Sequence, residues 1–134
     1  MKGKNMLTKR VLLTCIEAVL AVSIIGCAPT MVGTNGGVYQ GSILYAVSDK
    51  DMDAVYEASL QAMDKLELKV TDKMKDAFGA KILAKSSDDE KIAVVIKPTK
   101  DKKTMYEIKV GALGNEERSR KIYMEIDNAL MGKK

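Results

Sequence analysis

Histidine and tryptophan are absent from this chain of 134 residues, and phenylalanine occurs once. Without histidine there is no Ser-His-Asp triad, no Cys-His dyad and no imidazole ligand for a metal. With so few large rings, stacking platforms for single-stranded nucleic acid are poorly supplied. A large excess of one charge is missing too. The formal net charge is +4, but Lys2, Lys4, Lys9 and Arg10 against Glu17 already give +3 over residues 1–26, so residues 27–134 hold 18 Lys/Arg and 17 Asp/Glu, a net of +1. Such a balance offers no broad basic field, and nucleic acid is not expected as a partner. Cysteine occurs twice, as Cys15 and Cys27.

What is present is an ordered N-terminus. Lys2, Lys4, Lys9 and Arg10 form a basic start, Val11 to Ile25 form an apolar run, and Ile24-Ile25-Gly26-Cys27 closes it. This resembles a bacterial lipoprotein precursor, whose lipobox carries a branched aliphatic residue, a tolerated residue, Gly or Ala, and then Cys. The resemblance implies cleavage between Gly26 and Cys27, a diacylglyceryl group on the Cys27 thiol, and acylation of the new amine. Ala28 follows, where Asp in similar lipoproteins favours inner-membrane retention, so the implied destination is the outer membrane with the domain facing the periplasm. An uncleaved signal anchor is the competing reading. The 15-residue run is short of the roughly 20 residues a span needs. Glu17 interrupts it, which is costly in mid-membrane. A start at Met6 would leave Lys9 and Arg10 as the basic part. Under the lipoprotein reading Cys15 departs with residues 1–26 and Cys27 is capped, so no disulfide forms within the remainder. Stability then rests on an ordinary core in a small domain.

Beyond Cys27 the chain divides simply. Residues 27–37, rich in Gly, Thr and Pro, read as the lipidated Cys and a flexible tether of roughly 16–19 Å. Residues 38–132 read as one α+β domain. Val38 to Val47 forms a strand with Gly41, Ile43, Tyr45 and Val47 on one face. Ser48-Asp49-Lys50-Asp51 starts a helix over about 51–66, with Met52, Val55, Ser59, Ala62, Met63 and Leu66 at helical spacing. Four strands follow: Leu68, Val70 and Met74 alternate in the first, Ala80, Ile82 and Ala84 in the second, Ile92, Val94 and Ile96 in the third, and Tyr106, Ile108 and Val110 in the fourth. Asn115 caps a second helix, with Glu116 and Glu117 in its first turn and Ile122, Ile126, Ala129 and Leu130 as its apolar stripe. The order is β-α-β-β-β-β-α. It predicts a two-layer fold in which about five mainly antiparallel strands carry two helices on one face, with the first strand pairing antiparallel with the last.

Residues Asp53-Ala54-Val55-Tyr56, Leu66 to Thr71, Asp76 to Ile82, Gly111, Gly114-Asn115-Glu116 and Ser119 carry a further likeness. With the signal, they resemble a family of small, largely proteobacterial lipoproteins of unknown function, over most of residues 20–132. That family implies no catalytic residues. The element order is also similar to the helix-grip domains of the lipoprotein C subunit of the outer-membrane protein assembly machinery, a likeness of topology alone.

Asp49, Asp51 and Asp53 alternate like a calcium loop, but the Gly and Glu required at loop positions 6 and 12 are Ala54 and Leu60; a charged helix start explains the acids. Asp88-Asp89-Glu90 reads as a hairpin turn before it reads as a cation site. Gly33, Gly36 and Gly37 are too sparse for a phosphate loop. Ser119 and Lys121 are two apart on a helix and do not face each other. Lys97, Lys100, Lys102 and Lys103 crowd a turn. There Lys100, Lys102 and Lys103 are candidates for lipid-headgroup contact, against the alternative of a solvated hairpin tip guarding a strand edge. The expectation is a non-enzymatic envelope lipoprotein without cofactor or metal. Its partners are membrane lipid through acylated Cys27 and an envelope protein or peptidoglycan. The alternative is a helix-grip-like pocket for a lipid or small hydrophobe.

Overall fold

The structure, a computed structural model, describes residues 31–32 and 37–133. It contains β1 (Met31–Val32), β2 (Gly37–Gln40), β3 (Ile43–Ser48), α1 (Met52–Lys65), β4 (Lys69–Lys75), β5 (Ala80–Lys85), β6 (Lys91–Pro98), β7 (Thr104–Val110) and α2 (Glu116–Leu130). The strands make one sheet in the order β1-β2-β3-β7-β6-β5-β4, antiparallel at every junction. Both helices pack on the same face of it and against each other. This is the expected α+β, two-layer arrangement, with β3 antiparallel to β7 as the first and last long strands. Among the described residues no helix is long and apolar enough to cross a membrane.

The strand count exceeds five for two local reasons. Val38 to Val47 is a hairpin rather than one strand. Gly41 and Ser42 both take positive φ, 56° and 74°, as mirror-image two-residue turns demand. Met31 and Val32, inside the stretch read as tether, pair with Val38 and Gly37 and add the short β1.

Alternation places the core. Ala80, Ile82 and Ala84 of β5, Ile92, Val94 and Ile96 of β6, and Tyr106, Ile108 and Val110 of β7 all turn towards the helices and are buried. There they meet Val55, Ala62 and Met63 of α1 and Ile122, Tyr123 and Ile126 of α2. In β3 the buried residues are Leu44 and Ala46, so Ile43, Tyr45 and Val47 share the opposite, open face. In β4 the register shifts between Val70 and Asp72. Thr71 is the extra residue, and its hydroxyl donates to Leu83 O at 3.2 Å. A bulge of this kind reverses the side-chain alternation beyond it. Val70 therefore faces inward opposite Ala84, while Met74 lies opposite Lys81 on the open face.

The helix ends are determined locally. Asp51 accepts from Ala54 N at 2.8 Å and Asn115 accepts from Arg118 N at 3.1 Å, so each begins its helix as a side-chain cap. α1 ends with Glu67 at φ 55°, Glu67 N donating to Asp64 O at 3.0 Å and Leu68 N to Met63 O at 2.8 Å. That pair of bonds closes the last turn and turns the chain into β4. α2 ends likewise, with Gly132 at φ 68° and Lys133 N donating to Asn128 O at 2.9 Å.

Candidate functional site

Gly26 and Cys27, the cleavage and lipidation residues, lie outside the described residues. The other candidates can be placed. Lys100, Lys102 and Lys103 are exposed on the β6–β7 turn. Thr99 closes that turn: its amide donates to Lys103 O at 2.8 Å and its hydroxyl to the same oxygen at 3.1 Å. The turn prolongs the strands that carry Lys97 and Met105 on the open face of the sheet.

The acidic runs are engaged structurally. Asp51 caps α1, and Asp53 holds Lys75 of β4 at 3.0 Å, whose ammonium also sits 5.0 Å from the Tyr56 ring centroid. Donation to the Asp53 carboxylate raises the Lys75 pKa. Asp88 and Glu90 receive Arg118 from α2. Arg118 Nη1 and Nη2 bind the Asp88 carboxylate at 3.0 and 2.8 Å, a two-pronged contact, and Nη1 reaches Glu90 at 2.5 Å. Asp89 pairs with Lys85 at 3.4 Å. Among the described residues no group of three or more His, Cys, Asp or Glu side chains is arranged to hold a metal. Ser119 is buried, with its hydroxyl donating to Asn115 O at 2.8 Å, and so is engaged away from Lys121.

The layer between helices and sheet is filled: Val55, Met63, Ile82, Val94, Ile96 and Ile126 have no exposed surface. Clefts open at the surface instead. One, of about 230 Å³, lies between the end of α1, the β5–β6 turn and α2, with Ile92, Ile122 and Arg118 in its walls. Another, of about 300 Å³, lies at one end of the open face, among Met74, Phe78, Lys81, Val95 and Lys97. Asp76 builds the latter corner by accepting from Phe78 N at 2.8 Å and Gly79 N at 3.0 Å, a turn that leaves Phe78, the chain's one phenylalanine, 86% exposed.

The open face is the feature that sequence reading missed. Inward positions of β5 to β7 form the core, so the alternate positions of those strands, and the β4 residues paired with them, share the other side. On that side Lys69, Lys85 and Lys91 stand directly opposite one another across β4, β5 and β6. Lys109, Lys81 and Lys97 lie on the same side, around Leu83, Ala93, Val95, Met105 and the β3 residues Ile43, Tyr45 and Val47. Tyr45 and Val47 remain 37% and 44% exposed. The period-two spacing of Lys81 and Lys85, and of Lys91 and Lys97, was the available signal. Only the strand register shows that these lysines converge.

Residues 9–129 match the family described as "Protein of unknown function (DUF3568)". The chain belongs to that family. No curated protein matches it. In this DUF3568 domain, the motif residues that carried the family resemblance hold turns and helix starts. Asp76 organises the β4–β5 turn, and Gly79 lies against Ile96 O, which a β-carbon there would approach to 2.9 Å. Asn115 and Ser119 form the start of α2.

The Arg118 cluster gives the domain a pH signature. The Arg118 guanidinium, with the Ser86 hydroxyl, holds the Asp88 carboxyl well below the usual carboxylate range. A carboxyl depressed by folding contributes above its unfolded pKa, and the contribution is lost as pH falls through the folded one. Arg118→Met is therefore expected to lower the melting temperature at neutral pH. The gap from wild type should narrow once pH drops below the ordinary carboxylate range. Melting curves across acid pH check this; a gap independent of pH would show that Arg118 contributes through packing alone.

Proposed function

We propose that this chain is a lipid-anchored protein of the bacterial cell envelope, held by acylated Cys27 at the outer membrane and facing the periplasm. There its domain works as a non-catalytic interaction module towards an envelope protein or peptidoglycan. The observation that carries the reading is the sequence Ile24-Ile25-Gly26-Cys27 behind a basic start and an apolar run. It fits the resemblance to small proteobacterial lipoproteins. The domain supports it in two ways: its polar clusters are engaged in holding turns and helix ends, and its inner layer is packed with side chains. Packing of that kind favours contact through the surface over a ligand enclosed in a helix-grip pocket.

The test is the N-terminus of the protein extracted from membranes. Intact mass is expected to give a chain beginning at Cys27 with lipid attached, and Cys27→Ala is expected to abolish that species and accumulate an uncleaved precursor. A membrane-bound chain that still begins at Met1 or Met6 would establish the signal anchor instead.

A further inference from the structure

The two sides of this domain differ in charge. On the helix side Asp53, Glu57, Asp64, Glu116 and Glu117 are exposed and Glu125 is half-buried, against Lys65, Arg118, Arg120 and Lys121 of the helices and Lys73 and Lys75 of β4, so that side is close to balanced. The open face of the sheet carries six lysines (Lys69, Lys81, Lys85, Lys91, Lys97 and Lys109) against Asp72 and Glu107. Like charges directly opposite on neighbouring strands destabilise a sheet, yet Lys69, Lys85 and Lys91 are placed in that way. Only Lys85 of the three has a carboxylate partner among the described residues, at Asp89.

Between the lysines lie the apolar residues Ile43, Tyr45, Val47, Met105, Val95 and Leu83, with Glu107 set between Tyr45 and Val95 and exposed Phe78 at one end. Lysines around apolar side chains are the composition of an interfacial surface. The stems lie along apolar area while the ammonium heads reach anionic groups. The anchor enters at an edge of this same sheet. Cys27 precedes Met31 of edge strand β1 by four residues, a length of chain that spans at most about 14 Å. Held that close, the domain meets the bilayer, and an anionic surface attracts the basic face in preference to the near-balanced helix side.

We propose that the open face of the sheet docks on an anionic lipid bilayer, with the lysines on headgroup phosphates and the apolar residues between them, with Phe78, at the interface. The proposal rests on the reading of Cys27 as the anchor for its tethering, while the contact itself needs only the face.

The chain has no tryptophan, so Phe78→Trp gives a single reporter at an exposed position. Full-length protein with this reporter is extracted from membranes and reconstituted into vesicles of phosphatidylcholine alone or mixed with phosphatidylglycerol. In the mixed vesicles the emission is expected to shift to the blue and to be quenched by brominated acyl chains. In phosphatidylcholine alone, or at high salt, it is expected to revert to that of a water-exposed ring. Replacing Lys81, Lys91 and Lys109 together by Gln is expected to lower the ratio of docked to undocked protein by about a hundredfold, on the usual contribution of a lysine at an anionic surface. Lys121→Gln on the helix side is expected to leave that ratio unchanged, and unchanged melting curves establish that each variant is folded. Emission that is the same in both vesicles, or a triple variant that docks as well as the parent, overturns the proposal. Intact mass of the same sample separates the two readings. Lipid on Cys27 without a shift leaves the anchor and removes the docking face. A shift on added vesicles with an unlipidated Cys27 does the reverse.

Discussion

Tyr106→Ala is expected to lower the stability of the domain by about 3–5 kcal/mol, the range for removing a large aromatic ring from a core that relaxes only in part. Tyr106 lies on β7, a central strand, and is 1% exposed. Its ring stacks on Tyr123 of α2, with centroids 6.3 Å apart and planes 18° from parallel. The pair joins the second helix to the middle of the sheet, so truncation opens a cavity where the two layers meet. Contacts of this kind add about 0.5–1.5 kcal/mol beyond the area they bury. For a domain whose total stability falls near 5–15 kcal/mol, such a loss leaves little margin. At roughly 4–8 °C per kcal/mol for a domain of this size, the melting temperature is expected to drop by more than about 10 °C. Burial raises the pKa of the Tyr106 phenol, so the hydroxyl is held neutral. Tyr106→Phe keeps the ring and is expected to cost no more than about 1.5 kcal/mol, the usual scale of one net hydrogen bond. Thermal and urea melts distinguish the two. Equal losses in the Phe and Ala variants would mean that the hydroxyl, not the ring packing, carries the effect.

The same core shows which parts of the fold the sequence makes plain. In β7 Glu107 and Lys109 separate Tyr106, Ile108 and Val110; in β5 and β6 the positions that alternate with Ala80, Ile82 and Ala84 and with Ile92, Val94 and Ile96 are lysines at the ends with Leu83, Ala93 and Val95 between. One face is clearly the more apolar, and the register follows from it. In β3 both faces are apolar. Ile43, Tyr45 and Val47 compete with Leu44 and Ala46, and period two alone cannot say which set turns inward. The structure buries the smaller set because Tyr45 and Val47 continue the open face formed by Met105 and Glu107. The bulge at Thr71 has no strong local marker, yet it decides that Met74 faces outward. The cap Asn115 was legible because capping is decided within four residues, whereas the capping-box reading of Ser48 to Asp51 is corrected: Asp51 itself caps α1, and Ser48 accepts from Lys50 N at 3.1 Å.

The site divides along the same line. The lipobox reading of Gly26 and Cys27 is wholly a matter of sequence. Lys100, Lys102 and Lys103 were visible as a cluster because they are adjacent along the chain. The lysines of the open face were not, because Lys69, Lys85 and Lys91 become neighbours only through the pairing of three strands. Arg118 was overlooked for a related reason: its partners Asp88 and Glu90 lie 30 and 28 residues earlier. Charge balance along the chain conceals the gathering of lysines on one face of the sheet.

Gly114→Ala is expected to be the other severely destabilising change, through strain rather than a cavity. Gly114 has φ 85°, in the left-handed region, where a side chain costs roughly 1–2 kcal/mol. Space is lacking as well. A β-carbon there would lie 2.5 Å from Ser42 Cβ, 2.7 Å from Ser42 Cα and 2.6 Å from the Tyr39 hydroxyl oxygen. Two of these atoms belong to the backbone or its first side-chain carbon, so they cannot swing aside. The β7–α2 loop would have to lift from the β2–β3 hairpin, breaking the bond from the Ser42 hydroxyl to Leu113 O at 2.7 Å. Overpacking adds about 1–3 kcal/mol, so the total is expected near 2–5 kcal/mol. Gly41→Ala supplies the comparison. Gly41 also has positive φ, 56°, but a β-carbon there meets nothing within 4 Å, so its cost is expected to be the conformational part alone. The difference between the two variants, read from denaturant midpoints, measures how tightly the loop before α2 rests on the hairpin. Equal midpoints would mean that the hairpin gives way freely and that the contact between Gly114 and Ser42 does not hold the β1–β3 edge of the sheet to α2.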